Sequence, residues 1–467
     1  MKLIHDIKLK LLCMGCFIFI SCEDFVEPDA PNHIVSSEQV FNTEETARSA
    51  MMGIYNQLTR TSFCGGWENS VSVLAGLSSD NLTSLWETNF DYMEFDQYSI
   101  IPDNSRNQQL WAGAYNLIYM CNSVLEGIQY APNLSEELRN SMEGEAKFMR
   151  AFSYFYLTNL YNDIPLLLTT DYENNALANQ TESAVVYQQI LSDLISAEGL
   201  TEIDYRDGER RFVNKHVVRA FLARVHLYLE NYEEAEYWST QVIAQEGQYQ
   251  LMDNLNETFI ANSPEAIWQI SPIGQGGSLS YTYDGYIMII DPNSASLNPV
   301  RLSQDLLGVF DNNDLRRQQW INYDQETDSY YAFKYKDRNS TNNITEYSMV
   351  LRLAEQYLIR AEARAKLGNL NGGISDLNII RDRAGLPSIN EEIPNLNMEL
   401  LLNEILLERR RELYTEWGHR WLDLKRTGNV AGVFENGNTP WQDTNAFYPI
   451  PEEERMKNPN LGQNPGY

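Results

Sequence analysis

The sequence predicts a mostly α-helical protein in which tetratricopeptide-like helical hairpins form a scaffold for long irregular insertions with minor β structure. Three observations support this fold class. Apolar residues recur at helical spacing along most of the chain, and one helix–turn–helix pattern occurs twice. Two long stretches rich in Gly, Asn, Ser, Tyr and Trp show little helical period. The chain has 467 residues and is 43% hydrophobic, so it can bury a large core.

The amino terminus has the pattern of a lipoprotein signal peptide over residues 1–21. Lysines precede an apolar run at residues 11–21 that is too short to span a bilayer. The run ends in FISC (19–22), which resembles a bacterial lipobox, so Cys22 is the predicted lipid-attachment site. Residues 22–35 then form a lipidated tether, and their acidic pair after Cys22 resembles the surface-export signal of Bacteroidetes lipoproteins. The alternative is an ordinary signal peptide with an incidental cysteine.

One domain is predicted over residues 36–467, and its first helices are expected within residues 36–58, 110–128 and 143–161. Each of these stretches repeats apolar residues on one helical face. The run NDIP that begins at Asn162 ends the third helix, because proline and asparagine interrupt helical hydrogen bonding.

The repeated pattern comprises residues 223–229 and 361–367. Each copy is followed by a turn and a second helix with apolar residues at helical spacing, which is the arrangement of tetratricopeptide repeats. Two copies so far apart do not make a solenoid. We therefore expect several hairpins to stack, with long insertions between them.

The insertions are expected at about residues 60–105 and 255–345. The second contains short strand-like runs at residues 267–270 and 331–335. We expect irregular loops with minor strand that lie on the helical frame. Binding residues are often found on such loops.

The charge balance excludes one class of partner. The chain has 35 Lys+Arg against 65 Asp+Glu, a formal net charge of −30. This charge opposes binding to nucleic acid and adhesion to an anionic membrane through a basic face. The five histidines lack the spacing of metal ligands on a helix, so no metal site and no cofactor are predicted.

Two cysteines remain once the signal peptide and Cys22 are set aside. Cys64 and Cys121 lie far apart in the sequence and have no ligand-like spacing. They either pair as a disulfide or lie buried as free thiols, and the sequence leaves both alternatives open.

Four glutamates recur every four residues on one predicted helix: Glu404, Glu408, Glu412 and Glu416. Paired carboxylates are what glycoside hydrolysis requires. Like charges at this spacing repel each other, however, and need nearby cations. Such cations are available at Arg352, Arg360, Arg381, Arg409, Arg410 and Arg411. We therefore predict ion pairing between packed helices rather than catalysis.

Several runs along nearly the whole chain resemble the SusD/RagB family of nutrient-uptake lipoproteins. In the amino-terminal half they are VFNTEE (40–45), GIYN (53–56), GEAKFMRAF (144–152) and NDIPLL (162–167). In the carboxyl-terminal region, residues 346–467, they are RLAEQYLIRAEA (352–363), LNIIRDRAG (377–385), EILLERRREL (404–413), GHRWLDLKR (418–426), YPIP (448–451) and NPNLGQNPGY (458–467). Each run alone is weak, but all occur in the family's order behind a lipobox.

This resemblance implies four tetratricopeptide-like hairpins and a surface-exposed protein held at the outer membrane by its lipid anchor only. It implies capture of a glycan, as oligosaccharide or polysaccharide, for a TonB-dependent SusC-like transporter, without catalysis. Some relatives serve peptide uptake, which is the alternative ligand class. Some relatives also carry a structural calcium, which the acidic residues would permit without fixing its position.

Aromatic residues in the insertions are the candidates for ligand contact, because sugar rings stack their C–H faces on aromatic rings while Asp and Asn orient the hydroxyl groups. The predicted ligand-binding residues are Trp67, Asp80, Asn81, Trp86, Tyr92, Tyr281, Tyr283 and Tyr286. The alternative is that the rings only pack the loops onto the frame. By contrast, four tryptophans are assigned to the core: Trp238, Trp320, Trp417 and Trp421.

Two functions of other classes compete with nutrient binding. A glycoside hydrolase would release reducing sugars, and the release would stop when an acidic pair is replaced. A repeat scaffold that only holds other proteins would bind no small ligand.

Overall fold

The computed structural model describes residues 40–65, 69–85, 89–275, 279–293, 298–341, 343–434 and 441–467. The protein is mostly helical, as predicted. Its helices are α1 (Glu44–Arg60), α2 (Val71–Leu77), α3 (Phe90–Asp96), α4 (Ser105–Gln129), α5 (Glu136–Tyr161), α6 (Tyr172–Asn175), α7 (Ser183–Leu200), α8 (Lys215–Tyr228), α9 (Tyr232–Ile243), α10 (Tyr283–Met288), α11 (Gln304–Gly308), α12 (Leu315–Trp320), α13 (Leu353–Lys366), α14 (Leu370–Arg383), α15 (Ile389–Glu392), α16 (Met398–Leu413), α17 (His419–Arg426), α18 (Val430–Phe434) and α19 (Glu452–Lys457). Its strands are β1 (Leu82–Ser84), β2 (Ile164–Pro165), β3 (Gln180–Thr181), β4 (Ala266–Ile270), β5 (Val300–Leu302), β6 (Ile321–Asp324), β7 (Ser329–Ala332) and β8 (Ser348–Arg352).

Side-chain caps set the start of the first long helices. Thr43 accepts a hydrogen bond from the Thr46 amide at the start of α1. Asn104 accepts from the amides of Arg106 and Asn107 at the start of α4. Helix α5 ends at Asn162, which has a φ of 67°, a left-handed conformation that stops helical hydrogen bonding.

The scaffold is a row of adjacent helices. Helix α5 packs between α4 and α7, α7 contacts α8, and the hairpin α8–α9 packs against the hairpin α13–α14 through α9 and α13. These two hairpins are the predicted repeats, so that prediction is confirmed. Small residues lie where the two hairpins meet, including Ala223, Ala235 and Ala363, and they permit close helix approach.

The predicted insertions are more regular than expected. The first contains α2, α3 and β1, and the second contains α10 to α12 with strands β4 to β7. Within the described ranges all strands form antiparallel two-stranded pairs. Helices of five to seven residues are too short to show a helical period, which is why the sequence indicated loops.

Three of the four periodic glutamates lie in a buried network of ion pairs. Glu412 contacts Arg316 at 2.9 Å and Arg352 at 2.5 Å, and it also pairs with Arg383. Burial alone would raise the pKa of Glu412, but these arginines lower it well below its ordinary value. The predicted ion pairing is therefore confirmed at this glutamate.

Glu408 and Glu416 extend the same network. Glu408 lies 2.6 Å from Arg316, and Glu416 lies 2.8 Å from Arg352 and 2.5 Å from Lys334. Glu404 is only partly buried and lies outside this network. The network joins α16 to the second insertion and to β8, so it fixes that insertion on the frame.

The two cysteines of the folded domain are buried free thiols. Burial raises the pKa of Cys64 well above its ordinary value and that of Cys121 to about 12. Of the two alternatives left open by the sequence, the structure has the unpaired thiols.

The core assignments of three tryptophans are confirmed, because Trp320, Trp417 and Trp421 are all buried. Trp238 is partly buried and packs against the core. No helix within the described ranges combines the length and the apolar character needed to cross a membrane. Among the same residues, no three His, Cys, Asp or Glu side chains are grouped so that they could hold a metal ion.

Candidate ligand-binding cleft

The two insertions meet at a cleft of about 600 Å³. The first insertion contributes residues on both sides of β1, and the second contributes the turn after β5 together with α11. Helices α16 and α18 supply the remaining wall. The lining side chains include Asp80, Leu82, Thr83, Asp96, Tyr98, Gln304, Asp305, Val309, Arg410, Val433 and Phe434.

A short strand pairing brings the two insertions together. Strand β1 pairs with β5 in a register that places Leu82 opposite Leu302. Just beyond this pair, the Ser303 amide donates to the Asn81 carbonyl at 3.0 Å, and Ser303 Oγ donates to the Asp80 carbonyl at 2.5 Å. Ser303 Oγ also accepts from the Leu306 amide and caps α11. Gln304 and Asp305 therefore lie in the exposed first turn of that helix.

Asp80 lies in the cleft wall between two arginines. Arg420 donates to its two carboxylate oxygens at 2.7 and 2.8 Å, and Arg410 lies 3.0 Å from one of them. Burial would raise the pKa of Asp80, but the arginines lower it below its ordinary value. The carboxylate is thus held ionised and in a fixed orientation. Its predicted contact with a ligand remains a prediction.

Asn81 is buried and hydrogen-bonded within the protein. It is 2% exposed, and its side-chain oxygen accepts a hydrogen bond from Arg410 Nε at 2.9 Å. The amide therefore orients Arg410 and is not open to a dissolved ligand. This corrects the sequence assignment, which placed Asn81 among the ligand-contacting groups.

Asp96 is the second carboxylate of the cleft. One of its oxygens accepts from the Ser84 amide at 3.1 Å, and burial raises its pKa to about 6. A carboxyl group in this state exchanges its proton near neutral pH, so it can either accept or donate a hydrogen bond.

The aromatic wall of the cleft is formed by Tyr98 and Phe434. Their ring centroids lie 4.5 Å apart, and the ring of Trp441 packs edge-on to Tyr98 at 5.5 Å. Tyr98 has a φ of 55°, a strained conformation for a residue with a side chain, and such strain is concentrated at functional sites. A partly exposed ring beside carboxylates and a guanidinium group suits a ligand with C–H faces and hydroxyl groups.

Asp96, Tyr98 and Asp305 line the candidate cleft and were not predicted individually from the sequence. All three lie within the two insertions in which the sequence predicted ligand contact. The pairing of β1 with β5 joins positions more than 200 residues apart, and a local sequence pattern does not predict such a contact.

The three predicted tyrosines of the second insertion form a separate cluster. The rings of Tyr281 and Tyr286 stack with centroids 5.5 Å apart, and the Arg338 guanidinium lies 4.5 Å from the Tyr286 ring. Tyr281 is 8% exposed, whereas Tyr283 and Tyr286 are partly exposed. Asn298 donates hydrogen bonds to the carbonyls of Ile287 and Ile289 and so connects this region to the start of β5. The cleft lies beyond the opposite end of β5.

Tyr92 is a core residue. Its ring is fully buried, and the Arg106 guanidinium lies 3.8 Å from the ring centroid. This corrects its assignment as a ligand-contacting ring, because the ring is enclosed by its own fold. Trp67, Trp86 and Cys22 lie outside the described residues, so their assignments remain predictions.

Comparison with known proteins identifies related sequences and folds. A model described as "SusD family" matches residues 312–467, and one described as "Starch-binding associating with outer membrane" matches residues 26–227. The chain is 24% identical to SusD-like protein P25 of Formosa agariphila, with 99% of this chain and 98% of that protein covered. It is 22% identical to the starch-binding protein SusD of Bacteroides thetaiotaomicron, with 84% of each covered.

A solved structure shares the fold. Surface glycan-binding protein A from Bacteroides thetaiotaomicron, in complex with laminarihexaose, aligns with a TM-score of 0.74 and 19% identity. The alignment covers 90% of this chain and 99% of that one.

Proposed function

Because the chain belongs to the SusD/RagB family, we propose that it is a glycan-binding protein of the outer membrane that captures a nutrient glycan without cleaving it. The cleft between the two insertions carries this proposal. It is concave, and it combines the Tyr98 ring with carboxylates and a guanidinium group. Relatives described as binding starch or laminarin support the ligand class.

The ion pairs formed by most of the candidate acidic side chains support binding without bond cleavage. Three of the four periodic glutamates, Glu408, Glu412 and Glu416, form ion pairs with buried arginines and a lysine. In the cleft, the carboxylate of Asp80 is held by Arg410 and Arg420, so it is not available as a general acid or base. Asp96 has a raised pKa, and an assay for released reducing sugar decides whether it takes part in bond cleavage.

Delivery is the second part of the proposal. The captured glycan would pass to a TonB-dependent SusC-like transporter, and the lipid anchor at Cys22 would hold this protein in the same outer membrane. Family membership supports both features, and a pull-down of the barrel with the tagged protein tests the partnership. Recovery of no outer-membrane barrel would contradict the delivery step.

Calorimetric titration against a panel of polysaccharides and peptides tests capture. We expect at least one glycan to bind and no reducing sugar to be released. Asp305→Ala and Tyr98→Leu should each weaken binding by roughly 3–30-fold, since each removes a hydrogen bond or a ring face from the cleft. Tyr130→Ala is the matched control, because Tyr130 is 80% exposed and does not line the cleft.

The panel also separates the alternatives. Binding of peptides alone would favour peptide uptake, and release of reducing sugars would favour a glycoside hydrolase. Binding of neither class would leave the repeat-scaffold reading and contradict capture.

A further inference from the structure

Two further cavities continue the cleft along helix α16. A cavity of about 380 Å³ shares Arg410 and Val433 with the cleft. A second cavity, of about 220 Å³, shares Asn403, Leu406, Thr427 and Asn429 with the 380 Å³ cavity. We call these two cavities the α16 groove. Between Arg410 and Glu399 the helix axis advances about 16 Å, at the usual rise of 1.5 Å per residue.

The groove exists because α16 has two different faces. Glu408 and Glu412 point into the buried ion-pair network, whereas Glu399, Asn403, Leu406 and Arg410 line the groove. The second set recurs at intervals of three and four residues, which places it on one side of a helix. The end of α17 and the start of α18 form the opposite wall.

The groove repeats the chemistry of the cleft. Leu406 and Leu407 give a half-buried apolar floor, and Asn403, Thr427 and Asn429 place amide and hydroxyl groups at the rim. The far end has a partly buried ring, Tyr232.

Charge in the floor at that far end is already neutralised. Arg426 donates to both carboxylate oxygens of Glu362 at 2.6 and 2.7 Å, and both residues line the cavity. The rim carries the exposed charged side chains of Glu230, Lys366 and Glu399 beside its amide and hydroxyl groups. All of these groups can form hydrogen bonds with the hydroxyl groups of a sugar chain.

We propose that the ligand is an extended glycan chain that fills the cleft and continues through the α16 groove towards Tyr232. This inference rests on the proposed function. The cleft and the groove share Arg410 and Val433 in their walls, so a sugar chain bound at Tyr98 would enter the groove past these two residues. The protein consequently binds long chains more tightly than short ones.

Titration with a length series of defined oligosaccharides, from trisaccharide to dodecasaccharide, tests this proposal. The series is made from laminarin, from starch and from any other glycan bound in the panel. Affinity should rise by about tenfold or more from the shortest to the longest member. The double variant Asn403→Ala, Asn429→Ala should lose about tenfold for long chains, because each amide contributes about one hydrogen bond, and nothing for the trisaccharide.

Glu404→Ala is the matched control, because Glu404 lies on the same helix but does not line the groove. Asn403 and Asn429 are both exposed, so the variants should fold, and a thermal melt checks this. Affinity that does not depend on chain length, or a length effect that survives in the double variant, overturns the inference and leaves the proposed function intact. Binding of no glycan at all removes the proposed function and the inference together.

Discussion

Single residues of the cleft affect the stability of the folded protein. Asp96 is the clearest case, because burial raises its pKa from 3.8 to about 6. The folded state therefore holds a proton more tightly than the unfolded state does. The proton on Asp96 stabilises the folded state fully below pH 3.8, and this stabilisation is lost as the pH rises through 6.

Asp96→Asn should accordingly stabilise the protein at pH 8 and leave it nearly unchanged at pH 4. We expect a gain of about 1–2 kcal/mol in the free energy of unfolding at pH 8, after allowance for partial solvent exposure. Urea unfolding at the two pH values measures this gain. An equal effect at both would mean that the charge of Asp96 is not what destabilises the native state.

Residue identity alone could not separate ligand-facing from buried aromatic side chains. Tyr92 and Tyr98 lie six residues apart in the same insertion, yet Tyr92 is fully buried and Tyr98 is partly exposed. The difference arises from tertiary contacts, since Arg106 covers one ring and α18 borders the other. Composition predicted that both rings lie in an insertion, and packing decides which of them is exposed.

At the scale of elements, the buried charge network is the main tie between α16 and the second insertion. Glu412→Gln would leave Arg316, Arg352 and Arg383 with one negative charge fewer in a fully buried site. We expect a loss of about 3–5 kcal/mol in the free energy of unfolding, because an uncompensated buried charge is costly. Chemical denaturation measures it.

Glu404→Gln serves as the comparison on the same helix, and we expect it to change stability by less than about 0.5 kcal/mol. Similar losses in both variants would show that the helix responds to any change of charge and that the network has no special weight.

Close contact between helices α13 and α14 depends on Gly373. A Cβ atom there would lie 2.9 Å from the Ala361 carbonyl oxygen. Gly373→Ala should therefore destabilise the protein by about 1–3 kcal/mol, despite the higher helix propensity of alanine. Gly199→Ala in α7 meets nothing within 4 Å, so it should be neutral or stabilising by up to about 1 kcal/mol. Thermal melts compare the two, and equal shifts would contradict the packing argument.

The helical elements were predictable, whereas the strand pairs were not. Hairpins α8–α9 and α13–α14 repeat a local pattern whose period can be read directly. Strand β1 has three residues, and its partner lies more than 200 residues away. Arg316 and Lys334 were not predicted as partners of the periodic glutamates for the same reason, since they lie far from them in the sequence.

At the scale of the whole molecule, the proposed attachment to the membrane depends on Cys22, the predicted lipid-attachment site. Cys22→Ala should move the protein from the membrane fraction to the soluble fraction, because the described part of the chain contains no helix that could span a bilayer. Fractionation and labelling with a fatty-acid analogue measure this change. Cys16→Ala, within the predicted signal peptide, should leave the protein in the membrane. Retention of both variants in the membrane would contradict lipid attachment at Cys22.

The anchoring of the cleft has an evolutionary consequence. Asp80, Asn81 and Arg410 are locked into the frame, while Gln304, Asp305 and Gly308 stand at its open edge and are exposed. Substitutions at these edge positions can be sampled with little cost in stability. Substitutions at these few sites could thus change, during evolution, which ligand the cleft prefers. A library randomised at the same sites should yield mostly soluble proteins with altered ligand preferences.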